Sequence, residues 1–437
     1  MFQTLISRPW KWFVSLLLLL ILVLPLRGAT IDPSLKLGQV RAASRPYEFD
    51  YVSWTVSALW NKVKGFSLGA EGYLSSAESS ALVLDYLELR DDIHLLEEEL
   101  KNVIADPDIG GQEKTASQIR EDLEGKRDRR RDLAPFVQEV VQHQINVSLW
   151  DLGLTWGGQA LPPVLYQAEP DSYALIVSPR DVIRQEFNVM LVSDLTLDER
   201  IELEQEVERE DQFSALVVGV GGVGLYPSMF IETGNLQWML EVIGHEWTHN
   251  YLTLHPLGLN YFSSPELRTI NETVAELSGA EIERAALLRY YPEHVPPDSG
   301  ITEEEADPGP TSMLEELYGM HPGRFDFRYE MRITRLTVDR MLGNGNVQEA
   351  EEYMEQRRQF FWDHGYRIRK LNQAYFAFHG SYAARPGGAA GAEENRLGQS
   401  LRALKSKMPT FASFIKKVAW LWRLDQFEDV FQTELGS

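Results

Sequence analysis

The chain has 437 residues, enough for two to three domains and a substantial buried core. Its formal net charge of −23 argues against nucleic acid, and against an anionic membrane surface, as the main partner. The absence of cysteine excludes a thiol nucleophile, a disulfide framework and thiolate zinc sites.

Met1–Leu26 reads as a targeting or anchoring segment. Trp12–Leu26 is apolar except for Ser15, with Arg8 and Lys11 ahead of it. As a helix it spans about 22 Å, against ~30 Å for a bilayer core. Trp10, Lys11 and Arg27 extend that reach by interfacial anchoring and snorkelling. Cleavage after Ala29 would put Arg27 where a small residue is wanted. The expectation is therefore an uncleaved anchor, with a cleaved signal as the alternative. Arg27, Lys36, Arg41 and Arg45 follow the segment and blur the charge asymmetry. The expected orientation keeps the N-terminus inside and the rest of the chain outside the cytoplasm.

From about Pro46 to Trp150 the pattern is helical. Leu82, Tyr86, Leu89, Ile93, Leu96, Leu100 and Val103 make a heptad seam. The run from Ala105 to Gly111 breaks it, and a charged second helix follows from about Gln112 to His143. Together they predict an antiparallel hairpin. It is either an arm or cover with a working role, or a solvated hairpin packed on the rest. His94 and His143 have no partner at ligand spacing and read as structural.

Short apolar runs then predict strands at Val164–Gln167, Tyr173–Ser178 and Phe213–Val220, with a charged helix at Thr196–Glu210. Gly219, Gly221 and Gly224 formally spell G-x-G-x-x-G, but Leu225-Tyr226-Pro227 opposes the helix a dinucleotide site requires. The stretch reads instead as an edge strand or loop open to an extended peptide, or as a plain glycine-rich turn.

Val242–Asn250 reads V-I-G-H-E-W-T-H-N. His245 and His249 are i and i+4, on one face of a helix, so both imidazoles reach one metal ion. Glu246, one step round, is placed to contact a water at the metal rather than the metal itself. Leu236–Ile243 is apolar at helical spacing, so this helix is half-buried. Downstream, Asn271-Glu272-Thr273-Val274-Ala275-Glu276 again pairs two acids at i and i+4, on a helix running to about Tyr291. Two His and one Glu with water in the fourth place is a catalytic rather than a structural zinc set.

His245-Glu246-Trp247-Thr248-His249 with Asn271-Glu272 and Glu276 resembles the gluzincin metallopeptidases, which include thermolysin-like and aminopeptidase-like enzymes. The resemblance covers about Phe213–Arg289, and its spacer is a few residues longer than in the commonest members. It implies a zincin-like catalytic domain, zinc as cofactor, Glu272 as third ligand, and Glu276 as a carboxylate orienting a ligand His. It also implies a Tyr or His donor for the oxyanion from beyond the metal helices. Tyr375, His379 and Tyr382, at steps of four and three, would share one face of a helix. The bland reading of that face is aromatic core packing.

After the metal helices, Val295–Thr311 reads as a linker rich in Pro and acid. Helices follow from Ser312, including Arg332–Leu342 and Val347–His364 about a turn at Gly343-Asn344-Gly345-Asn346. Ala384–Asn395 reads as a flexible loop and Ser400–Phe431 as amphipathic helix. The expected fold class is α+β, mostly helical, in four regions: 1–45 anchor and stalk, 46–150 hairpin, 151–295 catalytic core with a small β-sheet, and 296–437 helical C-terminal region. The expected activity is a membrane-anchored zinc metallopeptidase acting on peptides or proteins, with Glu246 as general base. Aminopeptidase and endopeptidase are not separated. The alternative is a catalytically silent, membrane-tethered interaction protein that works through its hairpin; the presence of Glu246 argues against it.

Overall fold

A computed structural model of the chain describes residues 36–51, 53–55, 58, 74–105, 112–169, 173–193, 195–209, 211–223, 226–296, 325–382 and 388–435. The expected anchor Met1–Leu26, the hairpin break at 106–111 and linker residues 297–311 lie outside them. The described chain is α+β and mostly helical, with three small sheets.

Helix α1 (Lys36–Ser44) precedes the hairpin, whose arms are α2 (Ser76–Ala105) and α3 (Gln112–Asp151). The seam forms in two parts, and its first turn is shifted: Leu82 is half-buried, while Val83 and Leu87 bury beside Tyr86. Leu89 and Ile93 bury against Ile119 and Leu123 in a cluster of their own. Val83, Tyr86 and Leu87 join Val137, Val140 and Val141 in the main core. Helix α3 runs past His143 because Ile145 and Leu149 continue its buried face.

Next come β1 (Thr155–Trp156), β2 (Gln159–Ala160), β3 (Tyr166–Glu169), β4 (Tyr173–Pro179), β5 (Phe187–Leu191), α4 (Leu197–Glu208), β6 (Phe213–Gly219), β7 (Gly222–Val223) and β8 (Ser228–Ile231). Strand β4 is the centre of an antiparallel β5-β4-β6 sheet. Strand β8 lies between β3, which it pairs in parallel, and β7, which it pairs antiparallel. Thr196 caps α4 through a capping box with Glu199. Of the expected strands, the first starts two residues late, at Tyr166, and runs on to Glu169, where its parallel pairing with β8 ends.

The remaining helices are α5 (Leu236–Thr253), α6 (Pro256–Leu259), α7 (Pro265–Tyr290), α8 (Phe327–Gly343), α9 (Val347–Asp363), α10 (Gln373–His379), α11 (Ala392–Lys407), α12 (Phe411–Val418) and α13 (Leu424–Leu435). Two expectations are corrected. Ser400–Phe431 is not one helix: the chain turns after Lys407, and Thr410 restarts it through a capping box with Ser413. The loop expected to reach Asn395 gives way to α11 at Ala392.

Three ties outside the main core bear on the site. Asn372 caps α10 by accepting from the Tyr375 N–H, and its own amide donates to the Ala215 carbonyl of β6 at 2.9 Å. Gln373 donates to the Arg180 carbonyl at 2.8 Å. Helix α10 is thereby pinned to the β5-β4-β6 sheet. Glu232, one residue past β8, accepts from Tyr86 and from Arg130 at 2.8 Å each, with Arg90 3.7 Å away. Both arms of the hairpin thus grip the segment that feeds α5.

Candidate metal centre

Helices α5 and α7 bring the chemistry together. Asn235 caps α5 by accepting from the Trp238 N–H, and Met239, Leu240, Ile243 and Trp247 bury its apolar side. Ser264 caps α7 by accepting from the Leu267 N–H, with Pro265 in the first turn, where its missing donor costs nothing. The helices cross closely because Gly279 has no side chain. A Cβ there would lie 2.6 Å from the Glu241 carbonyl oxygen and 3.3 Å from His245 Cβ.

His245, His249 and Glu272 converge, their ligand atoms all within 4.8 Å of one another. The two Nε2 atoms are 3.0 Å apart. Glu272 Oε2 is 3.6 Å from His245 Nε2 and 3.4 Å from His249 Nε2. Two ligands ~2.0–2.1 Å from a tetrahedral ion are separated by about 3.3 Å, so this spacing fits one small cation. Glu272 Oε2 is buried and has no hydrogen-bond partner. A buried carboxylate oxygen without a hydrogen-bond partner, facing two imidazole nitrogens, is a donor set able to hold one cation.

The surroundings orient the set. Asn271 Oδ1 lies 2.8 Å from His249 Nδ1. Tyr261, in the loop between α6 and α7, donates its O–H to Glu272 Oε1. Neither role is visible in the sequence pattern; the only signals are Asn271 beside Glu272 and a tyrosine within the spacer. Glu276 is half-buried one turn past Glu272, and its charge adds to those raising the Tyr382 phenol.

Glu246 is 5% exposed, and its Oε2 has no partner. Burial raises its pKa above the usual carboxylate value, against the opposing pull of His245 and His249. Strand β7 covers it: a Cβ on Gly222 would sit 2.8 Å from both Cγ and Cδ of Glu246. The glycine-rich stretch therefore includes an edge strand that touches the candidate base.

Burial, then the opposite charges of the neighbouring groups, sets the titration of the cluster. Glu272 is held well below its usual value: burial opposes this, but His249 and His245 outweigh it. Burial likewise opposes the charged form of His249, yet Glu272, Glu246 and Asn271 lift it to about 9.

The three aromatic candidates separate. Helix α10 ends at His379, so no single helix carries all three. Tyr375 and His379 pack on each other with ring centroids 4.3 Å apart. Burial lowers His379 to about 4, so it is neutral at pH 7. Tyr382 lies beyond the helix with its ring 6.2 Å from that of His245. Burial, then Glu272 and Glu246, raises its phenol well above the ordinary value, so it remains a donor. Compared with protein-family models, curated proteins and solved structures, the chain matches none.

Proposed function

We propose that the protein is a zinc-dependent metallopeptidase of the gluzincin type, with a zincin-like core. The observation that carries this is the buried, orphaned Glu272 oxygen facing His245 and His249, with the buried Glu246 carboxylate beside them. His245, His249 and Glu272 would hold the ion. Bound there, zinc supplies Lewis acidity toward a carbonyl and lowers the pKa of water toward ~7. Glu246 accepts a proton from the attacking water and returns it to the leaving amine. Its raised pKa suits both halves of that task. Tyr382 supplies an O–H toward the oxyanion. Strand β7, an edge strand among the described residues, would offer main-chain groups to an extended peptide beside Glu246. Attachment to a membrane, with the catalytic part outside the cytoplasm, is proposed on the sequence of Met1–Leu26.

The test combines metal analysis with peptide cleavage. Purified protein should hold about one zinc per chain, released by chelator. Glu246→Gln should keep the zinc and lose nearly all cleavage. Normal cleavage by that variant sinks the mechanism. Full zinc occupancy in Glu272→Ala sinks the ligand assignment.

A further inference from the structure

Helix α7 carries a second charged group on the Glu272 face. Arg268 precedes Glu272 by four residues, one helical turn. It is 8% exposed. Among the described residues no carboxylate pairs with it. Its hydrogen bond runs from Nη1 to the Gln185 carbonyl at 3.2 Å. Nε is buried and has no partner. A buried guanidinium without an anion is costly, so such groups are ordinarily paired. Tyr261, from the spacer loop, donates to the Glu272 carboxylate one turn further along the same helix.

The geometry of the bond to Gln185 matters. With Nη1 committed, the Nε–Nη2 edge remains. That edge is the side-on fork that matches a carboxylate through two parallel N–H bonds. An endopeptidase substrate continues past the scissile bond as neutral backbone and offers no anion there. An aminopeptidase needs an acid for the free amine, not a cation. A peptide ending one or two residues beyond the scissile bond would bring a carboxylate past Glu272, toward the helical turn that carries Arg268. We propose that Arg268 recognises the free C-terminal carboxylate of a peptide substrate, making the enzyme a carboxypeptidase. This rests on the peptidase reading above. An acidic side chain presents the same chemistry and is separated from a C-terminus by the test.

Zinc-loaded, full-length Glu246→Gln protein is incubated with pooled acetylated tripeptides carrying each residue at the last position. One pool ends in the free acid and the other in the amide. Retained peptides are quantified by ultrafiltration and mass spectrometry. The acid pool should be held about 10–100-fold more tightly than the amide pool. Arg268→Gln in the same background should erase that difference and leave amide binding unchanged. If Arg268→Gln fails to fold by circular dichroism, the acid–amide comparison in the parent background decides alone. Equal retention of both pools, or retention of neither, overturns the proposal. Amide peptides retained only when they end in Asp or Glu assign Arg268 to an acidic side chain and overturn the C-terminal reading. Wild-type cleavage of pooled peptides is measured in parallel. Cleavage without preference for a free terminus defeats the Arg268 assignment alone. Acid-selective retention with no cleavage of any peptide defeats the peptidase reading and leaves Arg268 in place.

Discussion

Asn271 and Glu272, neighbours on α7, address the two nitrogens of one imidazole: Asn271 Oδ1 is 2.8 Å from His249 Nδ1, and Glu272 Oε2 is 3.4 Å from its Nε2. An amide oxygen accepting Nδ1–H fixes the tautomer whose Nε2 lone pair points at the cluster. Asn271→Ala should weaken zinc affinity about 10–100-fold, measured by competition with a chromophoric chelator. Asn271→Asp keeps an acceptor and should retain most of it. Unchanged affinity in Asn271→Ala would transfer the orienting role to Glu276.

Gly222 tests the contact between β7 and the base. An added methyl would overlap the Glu246 carboxylate, whose flexible side chain can swing aside more cheaply than the backbone can move. Gly222→Ala should therefore fold, bind zinc like the wild type, and lose turnover by about tenfold or more, since misplacing a catalytic group by 1 Å costs ~10²-fold. Wild-type kcat in a folded, zinc-loaded variant would remove β7 from the site.

Tyr382 is distinguished from the Tyr375–His379 pair by its approach to His245. Loss of one donor to a developing oxyanion costs ~10²–10³ in kcat. Tyr382→Phe should show that loss with zinc content intact, while Tyr375→Phe and His379→Ala turn over nearly normally if they fold. A steady-state comparison of the three variants checks this, and near-normal turnover in all three would rule the segment out as the donor.

Zinc binding should be linked to protons. In the metal-free protein His249 is lifted to about 9, so at pH 7.5 it is protonated and must surrender that proton to become a ligand. Calorimetric titration in buffers of different ionisation enthalpy should report about one proton released per zinc. The same shift governs stability of the stripped protein. A raised folded-state pKa gives a contribution fully present below the unfolded value of ~6.5 and lost as pH rises through about 9. Urea unfolding of chelated protein should show lower stability at pH 9.5 than at pH 6, with a smaller difference in His249→Ala. A zinc enthalpy that is the same in every buffer would mean a neutral His249.

The candidate metal ligands are legible in the sequence because their geometry is local. His245 to His249 is one helical turn, and each helix announces itself by apolar spacing and a cap. What the pattern misses is set by tertiary approach. Tyr261 matters because the spacer loop folds back on Glu272, and Arg268 because the Gln185 carbonyl happens to lie across from it. The sheets divide the same way. Strand β4 is long and apolar and stands out, whereas β8 is four residues whose parallel partner, Tyr166 against Ser228, lies far back in the chain. The C-terminal amphipathic pattern is real, but Pro409 and the Thr410 cap divide it into separate helices.

The grip of Tyr86, Arg90 and Arg130 on Glu232 decides where the protein can be cut. Trimming away residues 76–151 would strip that carboxylate of its cations three residues before the cap of the histidine helix. It would also bare the faces of α5 and α7 that Val137, Val140 and Val141 help to cover. The smallest piece able to carry the candidate metal site therefore begins before the hairpin. A fragment started at Leu161, between β2 and β3, would yield insoluble chain rather than a minimal metal-binding unit.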